Sequence, residues 1–199
     1  MQNGRMAQQW FTSDLHLGHR FVASLRGFDT VEEHDAAVLD GLRDTLSAGD
    51  TVWMLGDLSC GDTADEDRAL DLLADVLTAA GATADLIAGN HDSCHPLHRG
   101  AHLRQRRYLE VFRSVQAYQK LRWEDQDVWL SHFPRPGRDH EGMESRYDEL
   151  RLDVPRLIHG HLHSDAPDTG PGMVDVGVEA WGLRPVAQSD VADVVFDRA

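Results

Sequence analysis

Two short segments pair metal-ligating side chains two residues apart: Asp14-Leu15-His16 and His161-Leu162-His163. In an extended segment residues i and i+2 project to the same side, so each pair can face one cluster of ions. Three further segments, Gly56-Asp57, Gly89-Asn90-His91-Asp92 and Ser131-His132, carry single candidates of the same chemical kinds. Imidazole and carboxylate without thiolate suit Mn²⁺, Fe, Ni²⁺ or Zn²⁺ and argue against a structural zinc site. Two such ions about 3.5–4 Å apart would activate a water and stabilise the charge of an in-line displacement at phosphorus. Glycine ahead of Asp57, Asn90 and His161 permits the sharp turns that bring backbone and ligand close to the ions. Each segment alone is an ordinary turn or cap. Together, in this order, they point to a cluster of bound divalent ions.

The elements around them are readable from hydrophobic period. Gln8 to Ser13, Thr51 to Leu55 and Ala84 to Ala88 read as short strands, each running straight into one of the polar segments. Val31 to Leu46 and Asp65 to Ala80 carry apolar residues at helical spacing, with Gly81 just past the second helix. Val111 to Trp123 and Asp127 to Ser131 read as a hairpin about the polar turn Glu124-Asp125-Gln126. Leu157 to His159, Met173 to Val178 and Val191 to Phe196 are further strand candidates. Gly137 to Glu149 is polar and aperiodic, long enough to expect a lid or substrate loop. Ligands of α/β sheets gather beyond the carboxyl ends of strands, so residues far apart in sequence can converge there.

Composition narrows the classes. A length of 199 residues suits one domain over residues 1–199 with a full core. No run of about 18 apolar residues offers a membrane span. The polar N-terminus, Met1 to Gln9, lacks a signal peptide's apolar core. The two cysteines, Cys60 and Cys94, make no disulfide framework, so a reducing cytoplasm is the expected location. A net charge of −15 disfavours binding along a nucleic-acid duplex. If the partner is a small phosphate ester, two divalent cations would reverse that field locally.

The five segments resemble the signature of the calcineurin-like metallophosphoesterases, and they extend from Asp14 to His163. The resemblance implies an α/β fold, a four-layered α/β/β/α sandwich. It implies two divalent ions per chain, with Mn²⁺ the first expectation. Asp14, His16, Asp57 and His163 would hold one ion; Asp57, Asn90, His132 and His161 would hold the other, with Asp57 shared. His91 matches the histidine expected to contact the substrate phosphate or protonate the leaving oxygen. The protein-phosphatase branch carries an Asp three residues after the shared Asp; here that position is Cys60, which leaves Asp62 or Asp92 as partners for His91. The chain is more similar to small bacterial and phage phosphoesterases, opening on Ser13-Asp14-x-His16-x-Gly18-His19 and closing on the stretch from Val174 to Trp181. That similarity implies phosphate-ester hydrolysis and says less of the substrate; a phosphodiester, such as a small or cyclic nucleotide, is the first expectation. A phosphomonoesterase, or a metal-binding scaffold without catalysis, is the alternative.

Other polar residues are candidates of a second kind. His19, Arg135 and Arg138 lie close enough in sequence to the ligand segments to meet a substrate phosphate. Cys94, His95, His98 and His102 could suggest a separate zinc site, but their spacing suits a short helix equally well. Arg104, Arg106 and Arg107 read as a solvated helix end, and Trp181 as packing.

Overall fold

A computed structural model describes residues 6–140 and 142–198. Residues 1–5, part of the polar N-terminus discussed above, lie outside the described residues, as do residues 141 and 199. No described helix is long and apolar enough to cross a membrane.

Strand β1 (Gln9–Thr12) is followed by helices α1 (Arg20–Leu25) and α2 (Val31–Thr45), strand β2 (Thr51–Met54), helix α3 (Thr63–Ala80) and strand β3 (Thr83–Ile87). Helix α4 (Ala101–Tyr108) leads to the short strand β4 (Val115–Gln116). Then come β5 (Tyr118–Trp123), β6 (Gln126–Ser131), β7 (Leu157–His159), β8 (Asp168–Gly170), β9 (Met173–Asp175), β10 (Val186–Ala187) and α5 (Gln188–Val195). The strands form two five-stranded sheets, ordered β10-β1-β2-β3-β4 and β5-β6-β7-β9-β8. β1 to β4 run parallel in the first, and β6, β7 and β9 run parallel in the second.

Alternation along β2 explains the layers. Val52 and Met54 point to a cluster with Val38, Leu39 and Leu42 of α2 and Leu70 and Leu73 of α3. Trp53 and Leu55 point the other way, with Phe11 and Ile87, to meet Val128, Leu130, Ile158 and Val174 of the second sheet. The result is the expected sandwich of helices and two facing sheets, with α5 packed against β9 and β7.

Local chemistry sets the helix ends. Thr30 caps α2 by accepting from Glu33 N, and Asp62 caps α3 by accepting from Ala64 N. Gly81 closes α3 at φ 66°. In the hairpin, Glu124 and Asp125 both take positive φ, and Trp123 pairs with Gln126, so the turn has two residues rather than three.

Three expectations are corrected. Val111 to Trp123 is not one strand: Val115–Gln116 pairs with β3 in the first sheet, and after Ala117 the chain enters the second as β5. Val191 to Phe196 is helical, because Val191 and Val195, four apart, lie on one helix face and both are buried in the inter-sheet cluster. Met173 to Val178 stops being a strand at Asp175, whose buried carboxylate accepts from Gly177 N and Ser164 N and turns the chain into a 3₁₀ segment at Val178–Trp181. Trp181 packs against the inter-sheet cluster and donates to Asp175 O, as its reading as packing requires.

The arginines after α4's start have partners inside the protein. Arg104 pairs with Glu66 and Asp67, and Arg107 with Asp67 and Asp71. Glu66, buried on α3, also accepts from Ser93 N and Ser93 Oγ and so fixes the loop that follows Asn90. Burial would raise the pKa of Glu66, but contact with Tyr108, Ser93 and Arg104 outweighs it and holds the carboxyl below its ordinary 4.5. A depressed acid stabilises above its ordinary pKa and ceases to do so as pH falls through the lowered one. Glu66→Ala is therefore expected to cost about 2 kcal/mol at pH 7. In urea unfolding the difference from wild type should shrink as pH drops below 4.5; a gap independent of pH would contradict this role.

Candidate metal centre

All seven residues expected as ligands hang from the carboxyl ends of parallel strands. Asp14 and His16 follow β1, Asp57 follows β2 and Asn90 follows β3; His132 follows β6, and His161 and His163 follow β7. Five of them, Asp14, His16, Asp57, His161 and His163, are in the left-handed region, with φ between 49° and 72°. Such strain is held only where the surroundings over-determine it, and it concentrates at functional sites. Two glycines make the turns fit. A Cβ at Gly89 would stand 2.3 Å from Asp57 Oδ1, and one at Gly160 would stand 2.4 Å from Asp14 Oδ2.

The ligand atoms gather in two groups, Asp14 with His16 and His163, and Asp57 with His132 and His161. In the first, His16 Nε2 and His163 Nε2 are 3.1 Å apart, and Asp14 Oδ1 is 4.0 Å and 3.8 Å from them. In the second, His132 Nε2 is 3.4 Å from Asp57 Oδ2 and 3.1 Å from Asn90 Oδ1. Asp57 Oδ2 is also 3.8 Å from His16 Nε2, so one carboxylate oxygen reaches both groups. Asp14 Oδ1, His16 Nδ1 and His161 Nε2 are buried without a hydrogen-bond partner. Of these, Asp14 Oδ1 can only accept, and a divalent cation would meet it. The residues fit the ions.

Charge within the cluster is unevenly held. Burial opposes a proton on His132, but Asp57 outweighs it and raises the imidazole to about 10. His161, buried beside that positive ring, is pushed down to about 2.

A ring of buried residues holds the ligands in place, and most were not anticipated. Asp92 is buried and accepts from Asp57 N, Leu58 N and Gly89 N at 3.0, 3.0 and 2.7 Å, locking two ligand turns together. It is not the partner of His91, and Asp62 is only a helix cap. His91 Nδ1 instead lies 3.3 Å from Cys60 O, while His91 N donates to Asp57 Oδ1 at 2.8 Å. The backbone at Cys60 thus stands where a carboxylate was sought. His163 Nδ1 is 2.7 Å from Glu179 Oε1, which accepts from Arg26 Nε at 2.8 Å. Arg26 in turn reaches Asp14 O, Leu15 O and His34 Nε2.

The substrate candidates divide. His19 caps α1, accepting from Val22 N, and its ring centroid lies 5.2 Å from that of His16 and 6.0 Å from that of His91, so it borders the centre. Arg135 donates through its guanidinium to Val154 O, Pro155 O and Pro171 O and anchors the loops beside β7 and β9. Arg138 is exposed, its guanidinium lying near Gly170 of β8. The segment from Gly137 to Glu149 is tied down through buried Asp139, which accepts from His140 N, Arg146 N and Arg151 Nη2. It delivers an unexpected residue, His140, whose ring centroid is 5.1 Å from that of His161 and 5.6 Å from that of His163.

The histidines after Asp92 form no second site. His98 Nε2 meets Asn90 O at 3.0 Å, and His95, buried, accepts from Leu97 N and is pushed down to about 4 by burial and by His132. Among the described residues no metal-capable group includes them. A cleft of about 800 Å³ lies between α1, α2 and α3, lined by Arg20, Phe28, Glu32 and Arg68 among others rather than by the ligand groups.

The model of the calcineurin-like phosphoesterase superfamily domain matches residues 10–176. The Gene 66 protein of Mycobacterium phage L5 is 39% identical over 203 residues, covering 96% of this chain and 95% of that protein. Its counterpart in Mycobacterium phage D29 is 38% identical, covering 96% and 98%. Among solved structures, a protein of unknown function from Aquifex aeolicus shares the fold with a TM-score of 0.70 at 22% identity, covering 94% of this chain and 99% of that one.

Proposed function

The chain belongs to the calcineurin-like phosphoesterase superfamily, whose members are metal-dependent phosphoester hydrolases, and from that membership we propose that it is a dinuclear phosphodiesterase acting on a small or cyclic nucleotide. The observation that carries the dinuclear reading is the position of Asp57 Oδ2, within 3.4 Å of His132 Nε2 and 3.8 Å of His16 Nε2. Asp14, His16, Asp57 and His163 would hold one ion, and Asp57, Asn90, His132 and His161 the other, with Mn²⁺ the first choice and Fe, Ni²⁺ or Zn²⁺ as others the donor set accepts. When bound, two such ions supply an activated water and neutralise phosphate charge.

The chain's own residues do the rest. His91, about one-third exposed, keeps its Nδ1–H against Cys60 O, so the imidazolium form would hold its second proton on Nε2 and give it to a leaving oxygen, which leaves the neutral ring. His19 borders His16 and His91, and His140 borders His161 and His163, so both would meet a phosphate bound at the centre. A diester carries one negative charge where a monoester carries two. Arg26, which reaches Asp14 O and Leu15 O, and Arg135, three residues after His132, are both engaged with internal partners, which favours the lesser charge. The net charge of −15 is consistent with a small substrate rather than a duplex. Ligands from both sheets support the reading of the chain as one domain, and the two free cysteines suit the cytoplasm.

The test is protein stripped of metal and reloaded with Mn²⁺, Ni²⁺ or Zn²⁺. It is assayed on bis-p-nitrophenyl phosphate, p-nitrophenyl phosphate and 2′,3′-cyclic nucleotides. Turnover of the diesters that depends on added metal is expected. Preference for the monoester would replace the substrate reading, and inactivity on all three with both ions bound would leave a scaffold.

A further inference from the structure

We propose that Asp139 is a positioning residue for His161: its carboxylate accepts from the Nε2–H of that imidazole and so leaves unprotonated Nδ1 as the nitrogen turned to the metal centre. The inference rests on the metal-centre reading above and extends it to the loop between β6 and β7.

Asp139 Oδ1 is 3.3 Å from His161 Nε2, off the line of an ideal hydrogen bond, and this Nε2 is buried with no other partner. The Asp139 side chain is fully buried. An ionised carboxylate only accepts, so this contact places a proton on Nε2, and a neutral imidazole then carries its lone pair on Nδ1. Asp139 cannot swing away, because His140 N, Arg146 N and Arg151 Nη2 hold it at 2.9, 3.0 and 2.9 Å. Arg151 is equally fixed, donating to Arg146 O at 2.8 Å and to Arg138 O.

The arrangement repeats on the neighbouring ligand. His163 Nδ1 meets Glu179, and Glu179 is gripped by Arg26. Each histidine of the Gly160-His161-Leu162-His163 segment is therefore backed by a carboxylate that a buried arginine holds. Partners of this kind fix the tautomer and orientation of a ligating histidine. The rival use of the same atoms is a third cation site, since Asp139, His140 and His161 also lie within ligand distance of one another. Arg146 and Arg151 already sit against that carboxylate, and a further cation there would face both of their charges.

The experiment uses the full chain and avoids turnover altogether. Two-bond ¹H–¹⁵N correlations in metal-stripped protein read the tautomer of His161, and equilibrium dialysis reads Mn²⁺ binding. Wild type is expected to show the Nε2–H tautomer and to bind two Mn²⁺. Asp139→Ala is expected to lose that tautomer and to weaken one of the two Mn²⁺ by about 10–100-fold, leaving the other unchanged. Asp139→Asn, whose amide oxygen can accept the same proton, should recover most of the loss. Ser145→Ala loosens the loop where Ser145 meets Asp148 and should change neither reading. Wild type with two Mn²⁺ and an unaltered Asp139→Ala overturns the positioning role alone; wild type that binds no Mn²⁺ overturns the metal centre and this role with it. Should Asp139→Ala not fold, the wild-type spectrum still decides, because an Nδ1–H tautomer overturns the proposal.

Discussion

Asp57→Asn is expected to lose at least about 10²-fold in turnover and to retain less metal through purification. The substitution keeps the size of the side chain and removes one negative charge. That charge sits where both ligand groups meet, 3.4 Å from His132 Nε2 and 3.8 Å from His16 Nε2. The other oxygen accepts from His91 N, so the carboxylate also sets the height of the neighbouring segment. An amide can keep that acceptor, and Asp92 still holds the turn through Asp57 N and Leu58 N. The loss should therefore fall on metal and rate far more than on folding. Metal per chain, measured beside kcat, checks this; two ions retained with normal turnover would refute the shared position of Asp57.

His91→Ala is expected to keep its metal and to lose about 10²–10⁴-fold on an ester with a ribose or alkyl leaving group. On a nitrophenyl ester the loss should be much smaller, because nitrophenolate leaves without needing a proton. The ring is placed for this task, with Nδ1 3.3 Å from Cys60 O, and Nε2 3.9 Å from the shared carboxylate. A histidine that only attracts the phosphate would cost both esters alike. One that only shapes the turn would lower stability without distinguishing them. Comparing kcat on the two ester types, with metal content measured in parallel, separates the three, and equal losses would remove the general-acid role.

The ligand set was legible because its chemistry is local: each residue lies within a few positions of the strand that presents it, and strands and polar turns have short-range signatures. The same is true of α2 and α3, whose caps Thr30 and Asp62 and terminator Gly81 stand where the period begins and ends. What escaped was whatever depends on contacts across the fold. Val191, Val194 and Val195 favour a strand by composition, and only burial of Val191 and Val195 on one face makes them helical. Val115–Gln116 and Tyr118–Trp123 read as one run because nothing local shows that they pair with different sheets. Asp92 reads as a partner for His91, but three backbone N–H groups, two from the Asp57 turn and one from its own, claim it. Glu179 and Asp139 carried only a faint signal, a carboxylate near the end of the β9 stretch and an Asp-His pair inside an aperiodic loop.

The division of ligands between the sheets has a consequence for how the molecule comes apart. Asp14, His16, Asp57 and Asn90 hang from one sheet, His132, His161 and His163 from the other, and His16 and His163 meet across 147 positions of sequence. An ion gripped by both is a reversible staple across the seam, and the free energy of holding it becomes free energy of keeping the halves joined. Its release would leave the inter-sheet apolar cluster to carry that union by itself. A chelator would then do more than silence the chemistry: it would weaken the cooperativity with which the two halves melt.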